Sequence, residues 1–139
     1  RFETILKTDR VVYVDDYAHH PAELEAAISA ARMLYPDRKL TGVFQPHLYT
    51  RTRDFAEGFA AALDGLDECT LLDIYPAREL PIPGVNSAMI AGLMKNKNVT
   101  LTSKENLLET LKSKHLDVLM TMGAGDIDTL IEAIKALLS

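Results

Sequence analysis

Residues 11–21 read Val11-Val12-Tyr13-Val14-Asp15-Asp16-Tyr17-Ala18-His19-His20-Pro21. A short apolar run rich in β-branched residues, then polar groups, then a proline, describes a buried strand that runs into a helix. Pro21 suits the first helical position, and Glu23 and Glu25 stand in the first turn, where the macrodipole is positive. The helix follows in the stripe Leu24, Ala27, Ile28, Ala31. This alternation repeats along the chain. Apolar runs at Leu40 to Phe44, Cys69 to Ile74, Val99 to Leu101 and Val118 to Met122 read as further strands. Stripes at Phe55, Phe59, Ala62, Leu63, then Leu107, Leu108, Leu111, then Leu130, Ile131, Ile134, Leu137, Leu138 read as helices. Ser87 and Ser103 are placed as N-caps of helices near 88–95 and 104–113. Arg1 to Lys7 could add a leading strand, turned by Thr8-Asp9-Arg10. Strands buried on both faces pair in parallel. The expectation is therefore an α/β single domain: an open, mostly parallel Rossmann-like sheet with helices on both faces.

Composition narrows the function. The 139 residues carry 15 Lys or Arg and 20 Asp or Glu, a net charge of −5, and 47% are hydrophobic, which supplies one core and excludes disorder and coiled coil. An acidic balance without a Lys/Arg run offers no counterion-release footprint, so no nucleic acid and no anionic membrane is expected as partner. No apolar stretch approaches the ~20 residues of a bilayer span, and no signal core precedes the first strand; a cytoplasmic protein is expected. Cys69 stands alone, which excludes an intrachain disulfide or a cysteine zinc cluster; it reads as packing, and His115 as surface. Arg1 in place of Met raises the expectation of a piece of a longer polypeptide.

In an open parallel sheet, ligands bind beyond the carboxyl ends of the strands. The residues there are Asp15 to Pro21 and Gln45-Pro46-His47-Leu48-Tyr49-Thr50-Arg51-Thr52-Arg53, so three of the four histidines, two carboxylates and two arginines converge on one edge. Loops at the other edge, such as Pro36 to Lys39 and Asp64 to Asp67, carry ordinary turn chemistry. Each group also has a plain structural reading. Asp15 and Asp16 could cap the next turn, and since adjacent side chains leave a strand on opposite faces, at most one of them faces a shared ligand. His19 and His20 could be solvated turn residues. Arg51 and Arg53 begin a helix, where cations oppose the macrodipole; Arg53 could pair with Glu57, or the arginine fork and the free helix N–H groups could serve one anion. Tyr75-Pro76-Ala77-Arg78-Glu79, followed by Pro81-Ile82-Pro83-Gly84, is a stiff loop: a pocket wall through Tyr75, Arg78 and Glu79, or a rigid connector. Gly123-Ala124-Gly125-Asp126-Ile127-Asp128 lacks the last glycine of the dinucleotide fingerprint and follows the wrong strand, which leaves close approach to a ligand or tight turn geometry. There is no P-loop, no nucleophile elbow and no His-Glu-x-x-His helix.

Those four segments, in that order and over nearly the whole chain, resemble the C-terminal domain of the Mur ligases of peptidoglycan synthesis. Gln45 to Arg53 favours the alanine-adding branch; a murein-peptide recycling branch shares a segment like that of Asp16 to Pro21 and is the alternative. The resemblance implies that residues 1–139 are the last domain of a three-domain ATP-dependent ligase. That enzyme activates the carboxylate of UDP-N-acetylmuramate as an acyl phosphate and joins it to L-alanine. Its other domains hold the UDP-sugar, the P-loop and Mg2+, so this chain alone should be inactive and carry no metal of its own. By the same resemblance Tyr17, His19, His47 and Arg51 lie near the amino acid and Asp16 on the nucleotide side. His19 and His47 are the catalytic candidates, and the sequence does not choose between them. Some relatives carry Arg where this chain has Leu48, which leaves Arg51 or Arg53 to hold the substrate carboxylate. A receiver-like signalling domain shares Asp15, Asp16 and Asp73 but needs a lysine after the last strand, where Met122-Gly123-Ala124-Gly125 stands. A metallohydrolase would gather His19, His20 and His47 about zinc.

Overall fold

The computed structural model describes residues 1–139. Its strands are β1 (Glu3–Lys7), β2 (Val12–Asp16), β3 (Leu40–Phe44), β4 (Glu68–Leu71), β5 (Val99–Leu101) and β6 (Val118–Met122). They form one sheet in the order β1-β2-β6-β3-β4-β5. β1 runs antiparallel to β2, with a register break between Thr4 and Leu6, and every other pairing is parallel. The helices are α1 (Pro21–Leu34), α2 (Tyr49–Leu63), α3 (Ser87–Leu93), α4 (Leu107–Lys112) and α5 (Ile131–Leu138). No helix is long and apolar enough to cross a membrane.

Alternation along the strands divides the interior into two cores. Val12, Val14, Leu40, Phe44, Cys69, Leu71, Val118 and Met120 pack under Leu24 and Ile28 of α1, Phe59 and Leu63 of α2 and Ile90 of α3. Tyr13, Val43, Leu72 and Leu119 face the other way, against Leu107 and Leu111 of α4, Ile127, and Ile134 of α5. Burying one such side chain contributes about 1.5–3 kcal/mol before entropy is charged. Helices therefore cover both faces, as the buried runs imply.

Local differences have local causes. β2 extends to Asp16, because both aspartates continue the ladder to β6 opposite Thr121 and Met122. β4 covers Glu68–Leu71 and stops short of Ile74. The N-cap of α3 is Asn86, whose Oδ1 accepts the Met89 N–H at 3.1 Å. Ser87 instead turns inward and gives its hydroxyl to the Leu72 carbonyl. Ser103 Oγ accepts the Asn106 N–H at 3.1 Å, capping a turn that precedes a helix of only six residues, α4. Asp126–Leu130 form a 3-10 turn that leads into α5. α2 kinks at Phe55, whose ring is 46% exposed despite its place in the apolar stripe.

Candidate functional site

Asp15 and Asp16 leave opposite faces of β2. Asp15 accepts the Thr121 hydroxyl at 2.6 Å, and burial raises its carboxyl above the ordinary value. Asp16 is buried and its Oδ1 accepts the Ala18 N–H at 2.9 Å, so it does close the turn into the histidines. It also borders a cavity of about 340 Å³, walled by Tyr17, Ala18, Ala26, Ala27 and Ala30.

The next turn is fixed by Glu23, whose carboxylate accepts the His19 and His20 N–H groups at 3.0 and 3.1 Å. Those two bonds hold Glu23 below the usual carboxylate range. His20 is the N-cap of α1 and meets Phe55 edge to face at 6.2 Å. His19 lies 5.4 Å from the Tyr17 ring and 6.3 Å from that of His47, centroid to centroid.

His47 is placed by a graft between two loops. Pro46 accepts the Tyr75 N–H at 2.8 Å, Tyr75 accepts the Leu48 N–H at 2.9 Å, and the Tyr75 and His47 rings stack at 5.7 Å. Leu48 has a φ of 74°, a strained value for a residue with a side chain; its carbonyl receives both the N–H and the hydroxyl of Thr52 as α2 begins. One turn on, Arg51 Nη1 is 3.0 Å from His47 Nδ1.

These contacts fix tautomers. A guanidinium only donates, so His47 Nδ1 accepts and the ring proton sits on Nε2. A carbonyl only accepts, so His19 Nδ1, 3.0 Å from Tyr17 O, carries the proton, and neutral His19 keeps its lone pair on Nε2. Burial, then Arg51, then His19 lower the proton affinity of His47 against a smaller opposing effect of Glu79. Two imidazoles thus present opposite chemistry. Arg51 takes part in none of the chain's ion pairs.

Tyr17, His19, His47, Arg51 and Tyr75 are therefore brought together, and other candidates are not. Arg78 is exposed outside the cluster. Glu79 caps the start of α2: it accepts the Thr50 N–H at 3.1 Å and the Thr50 hydroxyl at 2.5 Å. Glu79 thus occupies the Thr50 N–H at the start of α2 and brings a carboxylate to that turn, paired with neither arginine. Arg53 pairs with the adjacent Asp54 at 2.8 Å and not with Glu57. Asp73 is exposed. The chain has no cluster of three His, Cys, Asp or Glu groups that could hold a metal.

Sequence reasoning missed one group. Gln45, buried, donates Nε2 to Asp126 Oδ1 at 2.7 Å and accepts the Ile127 N–H at 2.9 Å, while Lys104 Nζ holds Asp126 Oδ2 at 2.7 Å. Lys104 lies in a separate loop with no pattern of its own, so only the fold reveals it.

A family model described as Mur ligase, glutamate ligase domain, matches residues 1–125. Over 138 residues, 99% of its length, the chain is 56% identical to the UDP-N-acetylmuramate–L-alanine ligase of Parabacteroides distasonis. It is 55% identical over 136 residues, 97% of its length, to that of Porphyromonas gingivalis. It spans 30% of the length of each of these relatives. Among solved structures, the UDP-N-acetylmuramate–alanine ligase of Thermotoga maritima aligns with a TM-score of 0.78 at 23% identity, over 98% of this chain and 29% of that one. The murein peptide ligase of Psychrobacter arcticus aligns at 0.74 and 15% identity, again over 98% and 29%. At these identities the likeness to solved structures is one of fold. With a family model covering most of its length, the chain belongs to the Mur ligase family.

Proposed function

We propose that this chain is the C-terminal domain of a three-domain, cytoplasmic, ATP-dependent ligase that joins L-alanine to UDP-N-acetylmuramate. The observation that carries the reading is an arginine without an acid: Arg51 stands in none of the ion pairs, one hydrogen bond from a neutral imidazole, on the ligand-binding edge of the sheet. An amino acid brings the missing carboxylate, and the arginine fork holds it in a fixed orientation. The names of the relatives at 55–56% identity support the same substrate.

The tautomers divide the work that the sequence left open. His19, with its lone pair on Nε2, is suited to take a proton from the substrate ammonium, which must lose one before it attacks. His47, with its proton on Nε2, is suited to donate to an oxygen that gains charge. Tyr17 closes the rim beside His19. Asp16 and its adjoining cavity are the place on this chain for the nucleotide side. The residues here do not fit the phosphates or Mg2+, whose binding falls to the remainder of the polypeptide. ATP, when bound there, would supply the phosphoryl group that activates the acid. A site divided between domains must close to keep water from the activated acid.

In the longer polypeptide, Arg51→Ala should raise the L-alanine KM by roughly 10- to 100-fold, the equivalent of one charged hydrogen-bond pair, and leave the ATP KM unchanged. An unchanged L-alanine KM rejects the reading. The 139-residue chain alone should show no turnover with ATP, UDP-N-acetylmuramate and L-alanine.

A further inference from the structure

Gly125 has no room for a side chain. A Cβ built there stands 2.5 Å from Gln45 Oε1 and 2.7 Å from both Cβ and Cγ of Tyr75. At Gly123, where φ is 146°, it stands 2.9 Å from the Gln45 carbonyl. What approaches this glycine turn is the protein itself, and the tyrosine seated on it is the one whose ring stacks on His47.

We propose that Lys104, acting through Asp126 and Gln45, is a positioning residue for the His47–Arg51 pair. The inference rests on the reading of this rim as the amino-acid site and says what holds it in place. Lys104 follows β5, on the far side of β4 from the strand that carries His47. It reaches the site through one carboxylate with both oxygens committed: Oδ2 to Lys104 at 2.7 Å, Oδ1 to Gln45 at 2.7 Å. Gln45 is 3% exposed and spends both ends of its amide, on Asp126 and on the Ile127 N–H. If Asp126 swings away, Gln45 keeps a buried donor with no partner, so its loop must move. His47 is two residues along that loop. A second route ends on the same ring, because Gly125, which abuts the Gln45 amide oxygen, lets Tyr75 sit close and stack on His47. The Lys104–Asp126 side chains are 33% and 34% exposed, so the pair's service to stability is small and its effect is on geometry.

The test uses imidazole 15N shifts of the 139-residue chain, which report which ring nitrogen of His47 carries the proton. The groups that act on the proton affinity of His47 are Arg51, His19 and Glu79, with Tyr75 packed on its face; Lys104 is not among them. A change on removing Lys104 therefore reports movement of the ring and not loss of a nearby charge. Wild type should show the Nε2–H form. Lys104→Met should give a mixture of tautomers, and Lys104→Arg, which can still donate to Asp126, should restore the single form. Gly125→Ala, which displaces Tyr75, should give the same mixture by the second route. In the longer polypeptide, Lys104→Met should raise the L-alanine KM about tenfold, below the ~100-fold that a 1 Å misplacement can cost, with the ATP KM unmoved. Wild-type shifts in Lys104→Met overturn the inference, whether or not Gly125→Ala folds. Shifts that move while the L-alanine KM stays constant uphold the positioning role and overturn the assignment of the amino acid to this rim.

Discussion

Glu68 and Arg51 lie at opposite ends of one sheet and have opposite surroundings. At the amino-terminal end Glu68 receives Lys39 at 2.9 Å and Lys114 at 2.6 Å, and its side chain is only 9% exposed. Its neighbours follow the same rule. Asp67 accepts the Leu40 N–H and Arg32, and Asp117 accepts the Lys39 N–H and Arg38. These charges are consumed within the fold, where they fasten the strand entries together. At the carboxyl-terminal end Arg51 meets one neutral imidazole and no acid. The carboxylate at that helix start, Glu79, is spent on the Thr50 N–H and hydroxyl and forms no ion pair with Arg51. An arginine left without an acid beside the histidines, at the edge where open parallel sheets bind ligands, singles out this end as the candidate site.

The comparison breaks most visibly at Glu68. Glu68→Ala leaves Lys114, 11% exposed, without its partner, and should lower stability by about 3 kcal/mol in urea unfolding. Arg51→Ala should stay within about 1 kcal/mol of wild type in the same measurement, because the one hydrogen bond to His47 Nδ1 is all that the fold loses. Equal losses for the two variants would remove the distinction between the edges.

Arg51→Lys sharpens it. Lysine keeps the charge but presents a point in place of a planar fork, so the L-alanine KM of the longer polypeptide should recover only part of the loss caused by Arg51→Ala. Full recovery would mean that charge alone recruits the substrate and that orientation by the fork contributes nothing.

How far each edge can be read in the sequence follows from what each interaction leaves in the chain. The strands are legible because burial on both faces writes an uninterrupted run, as in Leu40 to Phe44 and Val118 to Met122, both recovered to the residue. The cluster of Tyr17, His19, His47 and Arg51 is legible because parallel topology sends successive strand ends to one edge, so residue type and order suffice. Other features depend on side chains that meet only after folding. Glu79 caps a helix that begins 30 residues earlier, at Tyr49, and nothing near Tyr49 announces it. Lys104 reaches Asp126 from another loop, and Asn86 takes the capping role that its neighbour Ser87 also suits. Phe55 fits the helical stripe in phase, yet a kink turns it outward toward His20. The Asp15 and Asp16 pair lies between these cases: alternation foretells opposite faces, whereas the partner of each, Thr121 and the Ala18 N–H, is a matter of register and turn.

The smallest expected effect separates His47 from the carboxylates by pH. Burial pushes Glu68 upward, but Lys114 and Lys39 outweigh it and hold the carboxyl below its ordinary value. Its contribution is therefore complete above the unfolded carboxylate value, near 4.3, and fades as pH falls through the lower folded value. His47 behaves in another window. Burial and Arg51 lower its proton affinity in the fold, so the unfolded chain binds that proton more readily. Stability should then rise as pH climbs from the folded value through the ordinary histidine value near 6.5, and fall on acidification over the same range. Melting temperature followed from pH 8 downward should show two separate declines, the first from His47 and the second from the carboxylates held below their ordinary range, Glu68, Asp67 and Asp117 at the amino-terminal edge and Glu23, Glu79 and Asp126 at the other. His47→Gln should remove the first and leave the second. Arg51→Ala should shrink the first without abolishing it, because burial, the larger cause, remains. A first decline of the same size in Arg51→Ala and wild type would show that the guanidinium does not rest on His47 in solution, and the arginine without an acid would lose the neighbour that makes it a site.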